Sequence, residues 1–144
     1  MTGVVLRSAA YADAPEIVAL WVAADAEPTL TDDVESVRAL LTHAPSSIVV
    51  AVDGEGAIVG TVIAGWDGWR GNLYRLVVAP VWRRRGVALT LVDEAERRVR
   101  LRGGIRMSAI VVASHETAMS FWRAAGYQQQ DDRARFVKGL STQV

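Results

Sequence analysis

Apolar positions along this chain keep two rhythms, and the switches between them mark the elements. Residues 4–6 form a short apolar run that predicts a strand. Ile17, Leu20, Trp21 and Ala24 then recur at helical spacing, behind Asp13 as cap, Pro15 in the first turn and Glu16 in capping-box position. Val34, Val37 and Leu41 mark one face of a second helix, which starts at Thr31 or Asp32 and ends near His43 and Pro45. Residues 47–52 and 58–66 predict strands joined by the hairpin signal Asp53-Gly54-Glu55-Gly56. Residues 67–71 read as a loop and 72–78 as a further strand. Leu91, Val92, Ala95 and Val99 line the inner face of a helix that opens after Gly86 and stops at Gly103-Gly104. A strand over 105–112, a helix from a Ser114 cap to about Ala125, ended by Gly126, and a closing strand over 136–140 complete the pattern. The order β-α-α-β-β-β-α-β-α-β is α+β in character. With no repeat and no linker, residues 1–144 read as a single domain.

Composition narrows the picture. A chain of 144 residues, 51% apolar and 22% charged, is ordinary for a packed domain. Having no cysteine, it can form neither disulfides nor a thiolate metal site nor a cysteine nucleophile, and two separated histidines make a poor ligand set, so no metal is expected. No apolar run reaches membrane-spanning length and no signal-peptide pattern opens the chain, so cytoplasmic residence is expected and a membrane partner is not. The net charge of zero hides an asymmetry. Residues 1–60 carry two arginines against nine acids, a net of −7, whereas residues 61–144 carry fourteen basic and seven acidic groups, a net of +7. An anionic ligand would be drawn to the second half. The basic residues gather at one turn and along one helix, a poor design for duplex nucleic acid.

That turn is the densest chemical signal. Leu76, Val77 and Val78 run to Pro80, then Arg83, Arg84 and Arg85 precede Gly86, Val87 and the small Ala88 at a helix start. A strand entering a helix through a glycine turn presents unpaired N–H groups along a positive dipole end, and the arginines add formal charge. Phosphate oxygens fit such a place.

The pattern Arg83-x-x-Gly86-x-Ala88 after the fourth strand, with Ala118-Met119-Ser120-Phe121-Trp122-Arg123-Ala124-Ala125-Gly126-Tyr127 later in register, resembles the GCN5-related N-acetyltransferase (GNAT) family of bacterial type. The resemblance covers nearly the whole chain and implies the GNAT fold, an α/β sandwich whose mixed, mostly antiparallel central sheet is flanked by helices. It also implies an acetyl-CoA-dependent N-acetyltransferase that moves acetyl directly to a primary amine. The amides from Arg84 to Ala88, including Gly86 and Val87, would hold the pyrophosphate, with Arg83, Arg84 or Arg85 adding charge. The pantetheine arm would pair with the backbone between Leu76 and Val78, and the amide of Leu76 or Val77 would bind the thioester oxygen. His115 stands where the family often has a coenzyme-contacting asparagine, and Trp122 where it commonly has an acidic tyrosine. Its usual carboxylate base positions appear as Asn72 and Ile110. Tyr74, His115 and Asp67 are the candidate substitutes for proton transfer, against a packed tyrosine, a helix-capping histidine and a turn aspartate. Trp66 and Trp69 would wall the acceptor pocket or plug the sheet edge, while Asp25 and Glu27 lie where the family usually admits its acceptor. Partners would be acetyl-CoA and an amine, small or protein-borne, with no nucleic acid; a homodimer could form along 136–140. A non-catalytic acyl-CoA-binding module, or a regulatory or interaction domain on the same fold, is the alternative.

Overall fold

The computed structural model describes residues 3–140. The chain divides into two compact units, Met1–Ile110 and Val111–Val144. The first contains β1 (Val5–Ser8), α1 (Ala14–Ala23), α2 (Val34–His43), β2 (Ile48–Val52), β3 (Ile58–Trp66), β4 (Gly71–Val78), α3 (Val87–Leu101) and β5 (Met107–Ala109), and the second contains α4 (Glu116–Ala124). The five strands lie in chain order, β1-β2-β3-β4-β5. Neighbours are antiparallel except β4 and β5, whose parallel pairing requires the α3 crossover between them.

Both faces of the sheet are covered. On one, Ile17, Leu20 and Trp21 of α1 and Val37 and Leu41 of α2 pack with Ile48, Val50, Ile63 and Val77. On the other, Val87, Leu91, Val92, Ala95 and Val99 of α3 are buried. All five residues of β2 are buried, as expected for a strand covered on both sides. Each fully buried Val or Leu here stabilises the fold by about 1.5–3 kcal/mol. The α3 contact is close: a Cβ on Gly60 would stand 3.1 Å from Leu91 Cδ1 and 3.3 Å from Val87 Cγ1.

Several expectations change. Asp13 occupies the N-cap of α1 without a side-chain capping bond. Its carboxylate instead accepts from the Arg7 guanidinium and from Ala10 N–H at 2.7 Å. Glu16 is likewise diverted, accepting from Ile58 N–H at 2.8 Å and so tying α1 to the start of β3. In unit 2, His115 rather than Ser114 caps α4. The strand expected over 105–112 shrinks to Met107–Ala109, because its partner β4 pairs with it only as far as Leu73↔Ala109. The closing strand expected over 136–140 is absent, which leaves no paired edge there for a swap. Phe136 is 94% exposed, Val137 77% and Leu140 86%, so none of these apolar side chains is buried as on a paired strand. Among the described residues no helix is long and apolar enough to cross a membrane.

Candidate active site

The site grows from an irregularity in β4. Ile63 faces Tyr74 and Thr61 faces Val77, so β4 spends one residue more than β3 over the same stretch, a bulge at Arg75 and Leu76. Arg75 takes φ 52°, the left-handed region that favours glycine, at a cost of about 1–3 kcal/mol. Its carbonyl accepts from the Thr61 hydroxyl at 2.9 Å, and Thr61 in turn accepts from the buried Trp21 indole N–H at 2.9 Å. The guanidinium leaves the sheet altogether: Nε donates to Asp32 Oδ1 at 2.8 Å, and Nη2 donates to Asp32 Oδ2, to the Glu27 carbonyl and to Thr29 Oγ1. The pairing of β4 with β5 ends at Leu73, just before the bulge. From Tyr74 to Val78 β4 therefore has an edge with no strand paired to it among the described residues. An extended ligand with alternating amide groups can pair there.

The other half of the site follows immediately. After a 3₁₀ turn over Pro80–Trp82, Arg84 takes φ 63° and Gly86 φ 81°, so two left-handed residues fold the chain into the start of α3. Thr90 N–H bonds back to the Gly86 carbonyl at 3.1 Å. The N–H groups from Arg84 to Leu89 have no acceptor among the described residues. They form a concave donor array at the positive end of a fifteen-residue helix. The three arginines differ. Arg83 reaches the Ala24 carbonyl at 3.4 Å, and Arg85 lies over the Trp82 ring at 4.8 Å. Arg84 has no such partner among the described residues, which leaves its charge available to an anion.

A family model described as Acetyltransferase (GNAT) family matches residues 13–127. The chain belongs to this family. An acetyltransferase of Yersinia enterocolitica is 31% identical over 126 residues, 88% of this chain and 89% of the relative. Among solved structures, Ard1 from Thermoplasma volcanium matches with a TM-score of 0.77 at 18% identity, over 86% of this chain and 82% of that one. AAC(6')-Iy in complex with the bisubstrate analogue CoA-S-monomethyl-acetylneamine matches with a TM-score of 0.74 at 17% identity, over 96% and 99%. These structural likenesses show the GNAT fold, and acetyl transfer is the chemistry of the family.

Within this GNAT acetyltransferase the expected residues fall into separate groups. Leu76, Val77 and Val78 form the open end of β4, with Val77 buried. Tyr74 is 45% exposed on the α1–α2 face, its ring over Gly65, where an added Cβ would stand 3.2 Å from Tyr74 Cε2. Asn72, on the same face, accepts from the Ser108 hydroxyl at 2.7 Å. Trp66 is one position out of phase with Gly65 and lies on the α3 face, beside Val99 and Gly104. There it lines a cavity of about 320 Å³ with Leu40, His43, Ser47, Arg98 and Arg102. Tyr74 and Trp66 are thus not brought together. Trp69 is 70% exposed at the β3–β4 turn, with Arg70 stacked on its ring at 4.1 Å. Asp67 Oδ1 accepts from Trp69 N–H at 2.8 Å and Arg70 N–H at 2.7 Å. Those bonds, from Arg70 first, hold its carboxyl below the usual range, which weakens it as a base. In unit 2, His115 Nδ1 accepts from Ala118 N–H at 3.2 Å as the cap of α4, and Trp122 makes edge contacts with Phe121 at 5.3 Å and Tyr127 at 4.9 Å. Sequence reading missed the pairing of Arg75 with Asp32, which it placed at the start of the second helix; Asp33 is the N-cap of α2 instead, its carboxylate accepting from Ser36 N–H at 2.8 Å. The available signal was a lone arginine inside the apolar run of β4, where a half-buried charge needs a partner.

Proposed function

We propose that this protein transfers acetyl from acetyl-CoA directly to a primary amine within a ternary complex. The observation that carries the reading is the donor array from Arg84 to Leu89 following directly, after one 3₁₀ turn, on an open strand edge, a pairing of features that suits one elongated anion with amides along its arm. The pyrophosphate would take the N–H groups of Arg84, Arg85, Gly86, Val87 and Ala88, with the Arg84 guanidinium as counter-charge. The arm would run along Leu76 to Val78. An N–H at Leu76 or Val77 would bond the thioester oxygen and stabilise the oxyanion that forms when the amine attacks. Collapse of that intermediate breaks the C–S bond, the coenzyme leaves as thiolate, and the proton lost by the amine restores the thiol. Tyr74 would pass that proton, a role supported by its exposure beside the bulge. The family match spans both units, which supports reading them as parts of one acetyltransferase domain.

The test is a calorimetric titration with acetyl-CoA, followed by thiol release across a panel of amines and basic peptides. Binding with turnover is expected. Binding with no turnover on any amine would reduce the protein to an acyl-CoA-binding module, and no binding would remove the reading of the Arg84–Leu89 array.

A further inference from the structure

We propose that Asp32, acting through Arg75, is a positioning residue for acetyl transfer. The pair grips the β4 bulge and thereby aims the open strand edge at residues 76–78. The inference rests on the reading that this edge receives the acyl-CoA arm.

Arg75 is held at both ends. Its backbone carbonyl is fixed through Thr61 to Trp21 of α1, and its guanidinium is fixed to the segment between α1 and α2 by a two-point ion pair with Asp32. Asp32 is itself built into that segment: Oδ2 accepts from Thr29 N–H at 2.8 Å, and Asp32 N–H donates to the Thr29 carbonyl at 3.4 Å. The side chains of Arg75 and Asp32 are only 14% and 18% exposed, so solvent screens the pair weakly. Trp21 adds a ring contact at 5.6 Å from the guanidinium carbon. A glycine would satisfy φ 52° at lower cost. An arginine at that φ gains nothing from the backbone, and what it adds is the link to Asp32, more than forty residues earlier in the chain.

The consequence separates rate from affinity. An oxyanion donor must be placed within a fraction of an ångström, so loosening the bulge weakens transition-state stabilisation. The donor array at 84–89 is a different segment with its own backbone geometry, and coenzyme affinity through the pyrophosphate stays with it.

Asp32→Asn keeps the side-chain shape and removes the charge, and Arg75→Gly keeps the left-handed backbone and removes the guanidinium. In both variants of the full chain, amide hydrogen exchange across residues 27–32 and 75–79 is expected to accelerate together by about tenfold or more. The kcat is expected to fall by about tenfold or more while the calorimetric acetyl-CoA Kd stays within about threefold. Arg75→Lys, which can pair at one point only, should recover part of the kcat. Unchanged exchange at 75–79 overturns the proposal, and so does faster exchange with a normal kcat, or a Kd that rises in step with the fall in kcat. Should the wild-type protein neither bind acetyl-CoA nor turn over, the proposed function falls, and the exchange result alone decides whether Asp32 governs the strand edge.

Discussion

Two arginines of this acetyltransferase hold positive φ in successive segments, Arg75 at 52° and Arg84 at 63°, and opposite means keep them there. Arg84 belongs to a tight local turn. Gly86 shares its left-handed geometry, the helix start follows at once, and no long-range contact of its side chain is needed. Arg75 sits in the middle of a strand, where local geometry argues against it, and partners in α1, β3 and the α1–α2 segment fix it. The first arrangement leaves donors free for a ligand, and the second commits Nε and Nη2 to holding the backbone. A binding surface and a positioning device have been made from the same residue type and the same φ.

The largest expected effect comes from breaking the local turn. Gly86→Val places a β-branched residue at φ 81° and disorganises the donor array, and the acetyl-CoA Kd should rise by about 100-fold. Calorimetry would show it, and an unchanged Kd would move the pyrophosphate elsewhere. Next comes the long-range site. Thr61→Val removes the hydroxyl between Trp21 and Arg75 and leaves a buried indole N–H and a carbonyl unpaired. Denaturant unfolding should register a loss of about 1–3 kcal/mol, and a loss near zero would mean the relay holds nothing. A smaller effect sharpens the contrast. Arg84→Ala and Arg84→Gly both delete the counter-charge and should weaken acetyl-CoA binding by about fivefold. Only the glycine variant should gain thermal stability, by about 0.5–1 kcal/mol, because only it suits the left-handed turn. Equal stabilities would show that Arg84 is unstrained.

The same contrast explains what could be read from the chain. The Gly86 turn, the Asp53–Gly56 hairpin and the Gly103 stop of α3 are local events, each decided by a few adjacent residues, and each stands where expected. The bulge was hidden because residues 72–78 look like one uninterrupted strand, and the extra residue is visible only in the register against β3. The strand expected over 105–112 is shorter for the same reason, since its pairing with β4 ends at Leu73↔Ala109, and the opposite faces of Trp66 and Tyr74 likewise follow from cross-strand phase. The closing strand expected at 136–140 is absent, and its apolar residues Phe136, Val137 and Leu140 stay exposed. The local turn from Arg83 to Ala88 was therefore legible, and the bulge at Arg75 with its partner Asp32 was not.

Glu94 on α3 offers the mildest test of local against long-range arginine pairing. It bonds Arg97 Nε and Nη2, both at 2.8 Å, one turn away, and Arg98 Nε at 2.8 Å. Arg97 ends there, whereas Arg98 continues to Ser8 Oγ at 2.9 Å and to the Ser46 carbonyl at 3.0 Å. The hydrogen bond from Arg97 is the largest influence that lowers the Glu94 pKa from 4.5 to about 2. A depressed carboxyl stabilises the fold fully above its unfolded pKa, and that contribution is lost as pH falls from about 4.5 toward 2. Glu94→Gln should therefore cost about 1 kcal/mol or less at pH 7 and only a small fraction of that at pH 2, narrowing the gap between variant and wild type across that window. Arg97→Ala should reproduce only the local part of this loss, while Arg98→Ala should also loosen the tie to β1 and the start of β2. If the two arginine variants lose equal stability at pH 7, the reach of Arg98 to Ser8 and Ser46 adds nothing, and long-range pairing matters in this fold only where, as at Arg75, it also holds the backbone.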